Sequence, residues 1–123
     1  MPVFLDSNII IEVIKNKVEL KDTSYYVNPI VYAEVLYGLL YIGKAENEFQ
    51  RFWKSKRIDL LVIGAGTASI YTRLKLELNK KGFPLADNDL LVASSCLEHN
   101  LSLFTLNLKH FERIKGMVLV KNV

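Results

Sequence analysis

Short apolar runs alternate with longer stretches of helical periodicity along the whole chain. The apolar runs are rich in β-branched and aromatic residues, as buried strands are, and helical stretches separate most of them. Such alternation is typical of βαβ units, so we predict an α/β fold with a central, mainly parallel sheet of about five strands. The predicted strands cover residues 3–5, 25–27, 58–63, 101–105 and 117–120.

Helices are predicted where apolar residues recur at helical spacing between capping and stop signals. Asn28 and Pro29 begin the second helix by the usual device, a capping amide followed by proline in the first turn. Residues 18–23 are expected to form a polar connection or a short helix. The predicted helices cover residues 7–15, 30–42, 46–56, 67–81 and 90–99.

Glu34 is the only charged residue in the helix predicted over residues 30–42. A helix with so few polar positions must be covered nearly all round. Its carboxylate must then meet a partner or change its pKa, because burying an isolated charge is costly. A buried salt bridge, for example to an arginine, satisfies this requirement, and so does a functional site.

Asp6 follows the first predicted strand directly and precedes Ser7 and Asn8. Residues of these types satisfy the free N–H groups at a helix start, so Asp6 is a candidate helix cap. It also stands at the carboxyl end of a strand, where open α/β sheets bind ligands. The sequence leaves both roles open for Asp6.

Asp87 and Asp89 stand just before or within the first turn of the helix predicted over residues 90–99. The dipole and the free N–H groups of a helix start favour anions there, and a cap needs only one of the two. Asp89 lies one step further in and is less well placed to cap. It is therefore the better candidate for a functional role.

The composition is that of one globular domain over residues 1–123, because 50% of the residues are hydrophobic and 24% are charged. The single cysteine excludes an internal disulfide and fits a reducing cytosol, so we expect a cytoplasmic protein. The apolar runs are too short for a membrane span, and we expect no signal peptide. The net charge of +3 is compatible with an anionic partner such as nucleic acid.

In a parallel sheet, the positions of Asp6, Glu34 and Asp89 all project from the edge formed by the carboxyl ends of the strands. Three carboxylates about 4–5 Å apart would repel by roughly 3–4 kcal/mol per pair at an effective dielectric of about 20. They must take up protons or hold a cation, and an all-oxygen ligand set suits Mg²⁺ or Mn²⁺ better than zinc. We therefore predict that these three residues form a divalent metal site.

Several segments resemble, in order, the motifs of the PIN-domain family, and more narrowly those of the VapC toxins of VapBC toxin–antitoxin systems. The resemblance covers nearly the whole chain and implies a three-layer α/β/α sandwich. It also implies a Mg²⁺- or Mn²⁺-dependent endoribonuclease that leaves 5′-phosphate and 3′-hydroxyl ends and is inhibited by a cognate VapB-like antitoxin. The segments are FLDSN at 4–8, YAEVLYG at 32–38, DLLVA at 89–93, FTLN at 104–107 and FERI at 111–114.

By the same resemblance, the three carboxylates named above occupy the family's metal-binding and catalytic positions. Asn107 matches the polar residue of the family's T-x-N segment, and Asn28 matches a polar position before the helix that carries the glutamate. His110 stands where the family often has a fourth acid, so the number of ions stays open, and His110 is either a phosphate or water contact or a surface residue. The supporting residues are Asn8, Asn28, Asp87, Asn107 and His110.

Two other functions remain open at this point. One is a binding module with the same fold and no catalytic activity, acting through a protein partner, and His110 at the fourth position supports it. The other is a nucleotide-cofactor protein that uses the turn at 64–69. Ser69 replaces the third glycine of the dinucleotide fingerprint there, which favours an ordinary turn.

Two surfaces are predicted for macromolecular partners. The apolar and aromatic residues between positions 32 and 53 are too many for one small core, so we expect some of them to line a homodimer or antitoxin surface. Basic residues at 51–57, 73–81 and 109–115 either hold RNA backbone or form a solvated face.

Overall fold

The structure, a computed structural model, describes residues 2–21 and 23–120 of the chain. Its centre is a sheet of five parallel strands in the order β3-β2-β1-β4-β5. The predicted α/β class and the parallel sheet are therefore confirmed. The strands are β1 (Val3–Leu5), β2 (Tyr25–Val27), β3 (Ile58–Leu60), β4 (Ser102–Phe104) and β5 (Leu119–Val120).

Helices cover both faces of this sheet and complete the three-layer α/β/α sandwich. The five predicted helices are present, and a sixth of only four residues follows β4, too short to give a periodic signal. None of the helices in residues 2–21 and 23–120 combines the length and the apolar character that a membrane crossing requires. The helices are α1 (Ser7–Ile14), α2 (Pro29–Tyr41), α3 (Glu46–Lys56), α4 (Ala65–Lys80), α5 (Asp87–His99) and α6 (Leu108–Phe111).

Two predicted boundaries are wrong by three residues. The third strand was expected to reach residue 63 but ends at Leu60, because β3 is an edge strand and the apolar residues after it have no further strand to pair with. Helix α5 was expected to begin at Leu90 but begins at Asp87. Residues 18–21 and 23 form an irregular connection, and residue 22 lies outside the described residues.

The order of the strands places a switch point between β1 and β4. The chain first runs outward from β1 through β2 to β3, then crosses to the other side of β1 for β4 and β5. In open α/β sheets, a crevice for ligands forms at the carboxyl ends of the two strands at such a point. Asp6 follows β1 and Thr105 follows β4, so these two residues lie at that crevice.

Helix α2 is only partly covered by its own chain. Val31 and Val35 are fully buried against the core, whereas the helix's carboxyl-terminal half carries large apolar side chains that remain open to solvent. We call these exposed residues the α2 apolar surface. They are Tyr37 (69% exposed), Leu40 (47%), Tyr41 (79%) and Ile42 (68%).

Candidate metal-binding site

Asp6 lies at the switch point and is almost fully buried. Its Oδ1 accepts a hydrogen bond from the backbone N–H of Ser7 at 2.8 Å, so Asp6 does cap α1. Its Oδ2 accepts a hydrogen bond from the hydroxyl of Thr105 at 2.8 Å. The capping role therefore accounts for one carboxylate oxygen, and the other faces β4 across the crevice.

Asn8 joins the start of α1 to the segment that follows β4. Its Nδ2 lies 3.4 Å from Asp6 Oδ2 and 3.4 Å from Thr105 Oγ1, and its Oδ1 accepts a hydrogen bond from the backbone N–H of Leu106 at 3.1 Å. The backbone N–H of Asn107 donates to Thr105 Oγ1 at 3.0 Å, while its side chain makes no capping bond to α6. The structure thus places Asn8 beside Asp6 and leaves the Asn107 amide without a capping role.

Glu34 and Asp89 approach the same crevice from α2 and α5. Glu34 is partly buried, and its Oε2 accepts a hydrogen bond from Asn88 Nδ2 at 2.8 Å. Oδ2 of Asp89, in the first turn of α5, lies 3.4 Å from His110 Nδ1. The partner of Glu34 is therefore an amide, and the alternative of a buried salt bridge to an arginine does not hold among the described residues.

The carboxylates influence one another electrostatically. Burial raises the pKa of Asp6 and the charge of Asp89 adds to the rise, although hydrogen bonds, chiefly from Thr105, oppose it. Burial also raises the pKa of Glu34, the charges of Asp6 and Asp89 add to that rise, and the Asn88 hydrogen bond opposes it. Within residues 2–21 and 23–120, no lysine or arginine forms an ion pair with any of the three.

The three carboxylates do not form a ready-made ligand set as they stand. Across the described ranges, no three His, Cys, Asp or Glu side chains are arranged to hold one metal ion. Glu34 is engaged by an amide and Asp89 by an imidazole. In charge and donor type the site nevertheless suits a hard divalent cation, because it offers carboxylate oxygens whose mutual repulsion is not relieved by a lysine or arginine in the described ranges.

Asn28 is fully buried, and all of its hydrogen bonds go to protein groups. Its Oδ1 accepts from the backbone N–H groups of Ile30 and Val31, both at 3.1 Å, and so caps α2. Its Nδ2 donates to the carbonyl of Leu91 at 3.2 Å and to the hydroxyl of Ser95 at 3.0 Å. Asn28 therefore ties the helix of Glu34 to the helix of Asp89 and has no free group to offer a ligand.

Asp87 makes its side-chain contacts with helix α4. Its Oδ1 accepts hydrogen bonds from the Tyr71 hydroxyl at 2.7 Å and from Lys75 Nζ at 3.0 Å, both on α4. These two contacts lower the pKa of Asp87. The cap position of α5 is Ala86, which makes no side-chain bond, so the alternative in which Asp87 only caps this helix does not hold.

Comparison with known proteins identifies the family. The model of the PIN domain family matches residues 3–117. The chain belongs to the PIN domain family. It is 30% identical over 128 residues to Ribonuclease VapC1 of Rickettsia felis, covering 95% of this chain and 93% of the relative. It is 33% identical over 125 residues to Ribonuclease VapC2 of the same organism, covering 94% and 93%.

A solved structure shows the same fold as this PIN domain. VapBC2 from Rickettsia felis bound to a DNA fragment from their promoter contains a chain that matches with a TM-score of 0.85 and 29% identity, covering 98% of both chains. The resemblance to the PIN-domain family, and within it to the VapC group, is therefore confirmed.

Three contacts of this PIN domain were missed in the sequence. Thr105 donates to Asp6, Asn88 donates to Glu34, and Ser95 accepts from Asn28. A sequence signal existed for Thr105 alone, because it follows β4 as Asp6 follows β1. Asn88 and Ser95 lie on a helix whose orientation in the fold cannot be read from its own residues.

We expect the stability of the metal-free PIN domain to fall as the pH rises through the raised pKa values of Asp6 and Glu34. The ordinary values are 3.8 and 4.5, so above these the folded state holds protons that the unfolded chain has already lost. This contribution to stability is lost completely once the pH exceeds the raised pKa values of both groups. The melting temperature of the metal-free protein should therefore fall as the pH rises above these ordinary values, by about 4 °C for each kcal/mol lost.

Added Mg²⁺ should raise the melting temperature at neutral pH and have less effect as the pH is lowered toward the ordinary pKa values of Asp6 and Glu34, because protons then compete for the same oxygens. The measurement is a series of thermal melts over this pH range, with and without Mg²⁺, at constant ionic strength. A metal-free melting temperature that shows no fall at any pH between 4 and neutrality would contradict the raised pKa values of these two groups.

Proposed function

We propose that this protein is a metal-dependent endoribonuclease and the toxin of a type II toxin–antitoxin system. The observation that carries the proposal is that the charge of Asp89 acts on Asp6 and the charges of both act on Glu34, while no lysine or arginine pairs with any of the three in residues 2–21 and 23–120. The curated relatives are named as VapC ribonucleases, which supports the same activity. The ion is Mg²⁺ or Mn²⁺, and the protein acts in the cytoplasm, where its RNA substrate is found.

The three carboxylates would hold the ion through oxygen atoms. When bound, a divalent cation supplies Lewis-acid polarisation of a phosphodiester oxygen and lowers the pKa of a water. Thr105 and the Ser7 backbone hold Asp6 in one orientation by hydrogen bonds to its two oxygens. Glu34 contacts an amide, and Asp89 contacts an imidazole. These two contacts can be replaced by contacts with a bound cation.

These side chains also provide the proton chemistry of hydrolysis. A carboxylate whose pKa is raised by burial is a competent base, so Glu34 can orient the attacking water and accept its proton. Lys109 lies beside His110 on α6 and can meet the RNA backbone next to the crevice. The water oxygen would form the new bond to phosphorus as the bond to the 3′-oxygen breaks, and that oxygen would take a proton from solvent, so the products carry a 5′-phosphate and a 3′-hydroxyl, as the family resemblance implies.

A second candidate function is a binding module of the same fold without catalytic activity. It is favoured by one observation, that no three His, Cys, Asp or Glu side chains of the described ranges are arranged to hold an ion. The same experiment separates the two functions. We expect total RNA to be cut by the purified chain in Mg²⁺ and left intact in excess EDTA, and intact RNA in both conditions would leave only the binding module.

We propose that the α2 apolar surface is covered by the cognate antitoxin or by a second copy of this chain. Its residues are too exposed for an isolated chain, and a solved relative is a VapBC complex. Changing Leu40 and Tyr41 together to Glu should weaken that association at least tenfold, because two charges would have to lose their water at the contact.

The measurement is the molar mass of the double variant by light scattering, alone and mixed with the antitoxin. Leu76→Glu on α4 is the matched control, because Leu76 is also exposed (56%) but lies outside this surface. If the variant keeps the wild-type mass in both samples, the surface is not an interface.

A further inference from the structure

A cavity of about 480 Å³ opens directly beside the carboxylate crevice. We call it the Leu106 pocket. It is formed by the segment that leaves β4 and continues through α6, so all of its walls come from seven consecutive positions. The pocket is lined by Leu106, Asn107, Leu108, Lys109, His110 and Glu112.

The Leu106 pocket is fixed to the catalytic carboxylates on two sides. The backbone N–H of Leu106 donates to Asn8 Oδ1 at 3.1 Å, and Asn8 in turn contacts Asp6. On the other side, His110 Nδ1 lies 3.4 Å from Asp89 Oδ2. A group held in the pocket is therefore a direct neighbour of any phosphodiester placed at the crevice.

The chemistry of the lining suits an uncharged planar group. Lys109 and Glu112 have opposite charges that offset each other, so the lining has no excess of lysine or arginine with which to hold a phosphate inside the pocket. Leu106 offers an apolar side chain that is 60% exposed, and the Asn107 amide offers a donor and an acceptor that α6 does not use. Unpaired RNA bases are bound by this combination, an apolar face together with amide groups.

We propose that the Leu106 pocket holds the unpaired base of a nucleotide that flanks the scissile phosphate. This inference rests on the proposed ribonuclease function and adds the place of a base-binding subsite, the Leu106 pocket, beside the scissile phosphate. Leu106 packs on the face of the base, and Asn107 bonds to its edge. A base inside a duplex cannot enter, because its face is covered by its stacked neighbours.

The test uses an unstructured RNA oligonucleotide and the variant Leu106→Ala. We expect KM to rise about fivefold with little change in kcat, because the contact with the base binds substrate without touching the reacting atoms. Leu76→Ala is the matched control, since Leu76 has a similar exposure of 56% on α4 and lies outside the pocket. The melting temperatures of both variants should equal that of the wild type.

A second measurement removes the base instead of the side chain. In a set of oligonucleotides, each carries a single abasic site at a different position around the cut. Cleavage should fall mainly when the abasic site is at one particular flanking position, and Leu106→Ala should cleave that oligonucleotide no worse than the others. An even response along the strand, or equal KM values for the two leucine variants, would overturn the pocket assignment while cleavage by the wild type upholds the ribonuclease. If the wild type cuts no RNA, both the proposed function and this inference fall.

Discussion

Asp6→Asn should lower RNA cleavage by about a thousandfold or more and leave the fold intact, because the change removes a charged metal ligand and keeps the side-chain shape. The amide oxygen can still accept the hydrogen bond from the Ser7 N–H. The Thr105 hydroxyl, which donates to Asp6 now, can accept from the new NH₂ group. The measurement is kcat/KM on RNA in Mg²⁺, with a thermal melt of the same sample.

The stability of this variant separates a catalytic role from a structural one. Burial raises the pKa of Asp6, so the ionised carboxylate lowers the stability of the folded state at neutral pH. The Asp6→Asn variant should therefore have a melting temperature no lower than that of the metal-free wild type. Asp59→Asn is the matched control, because Asp59 lies on the exposed side of edge strand β3. Equal cleavage by wild type and Asp6→Asn would refute the proposed site.

Asn28→Ala should have the largest effect on stability, about 3 kcal/mol, which is a large share of the stability of a single domain. The change leaves the N–H groups that begin α2 without their cap, and it leaves the Leu91 carbonyl and the Ser95 hydroxyl without their donor. Cleavage should fall as well, since Asn28 holds the helix of Glu34 against that of Asp89. Urea unfolding and kcat measure the two effects.

Two variants separate the two roles of Asn28, the cap of α2 and the hydrogen bonds to α5. Asn28→Ser keeps a capping oxygen for α2 but is too short to reach α5, so we expect an intermediate loss of stability. Ser95→Ala removes one contact on α5 and should cost about 1 kcal/mol. If Asn28→Ala is no less stable than Ser95→Ala, this residue does not join the two helices as described.

The position of Asp6 could be predicted from the sequence because local signals define it. A short apolar strand followed by capping residues fixes the end of β1, and the parallel sheet then fixes the edge to which Glu34 and Asp89 belong. The bounds of α3 were also predicted correctly, since its polar and aromatic residues alternate at helical spacing.

The contacts that orient the carboxylates could not be predicted. The hydrogen bond from Thr105 to Asp6 joins residues 99 positions apart, and that from Asn88 to Glu34 joins residues 54 positions apart. Such pairs depend on the packing of whole helices and strands and leave no periodic trace. The end of β3 was missed for a related reason, because an apolar run looks the same at an edge and at the centre of a sheet.

Three carboxylates from different parts of the fold, those of Asp6, Glu34 and Asp89, are expected to bind a divalent cation together. Titration of the metal-free protein with Mn²⁺, followed by electron paramagnetic resonance, tests this binding directly. We predict saturable binding by the wild type that is lost in Asp6→Asn and in Glu34→Gln and kept in Asp59→Asn. Binding that is absent from the wild type, or unchanged in the first two variants, would contradict the account.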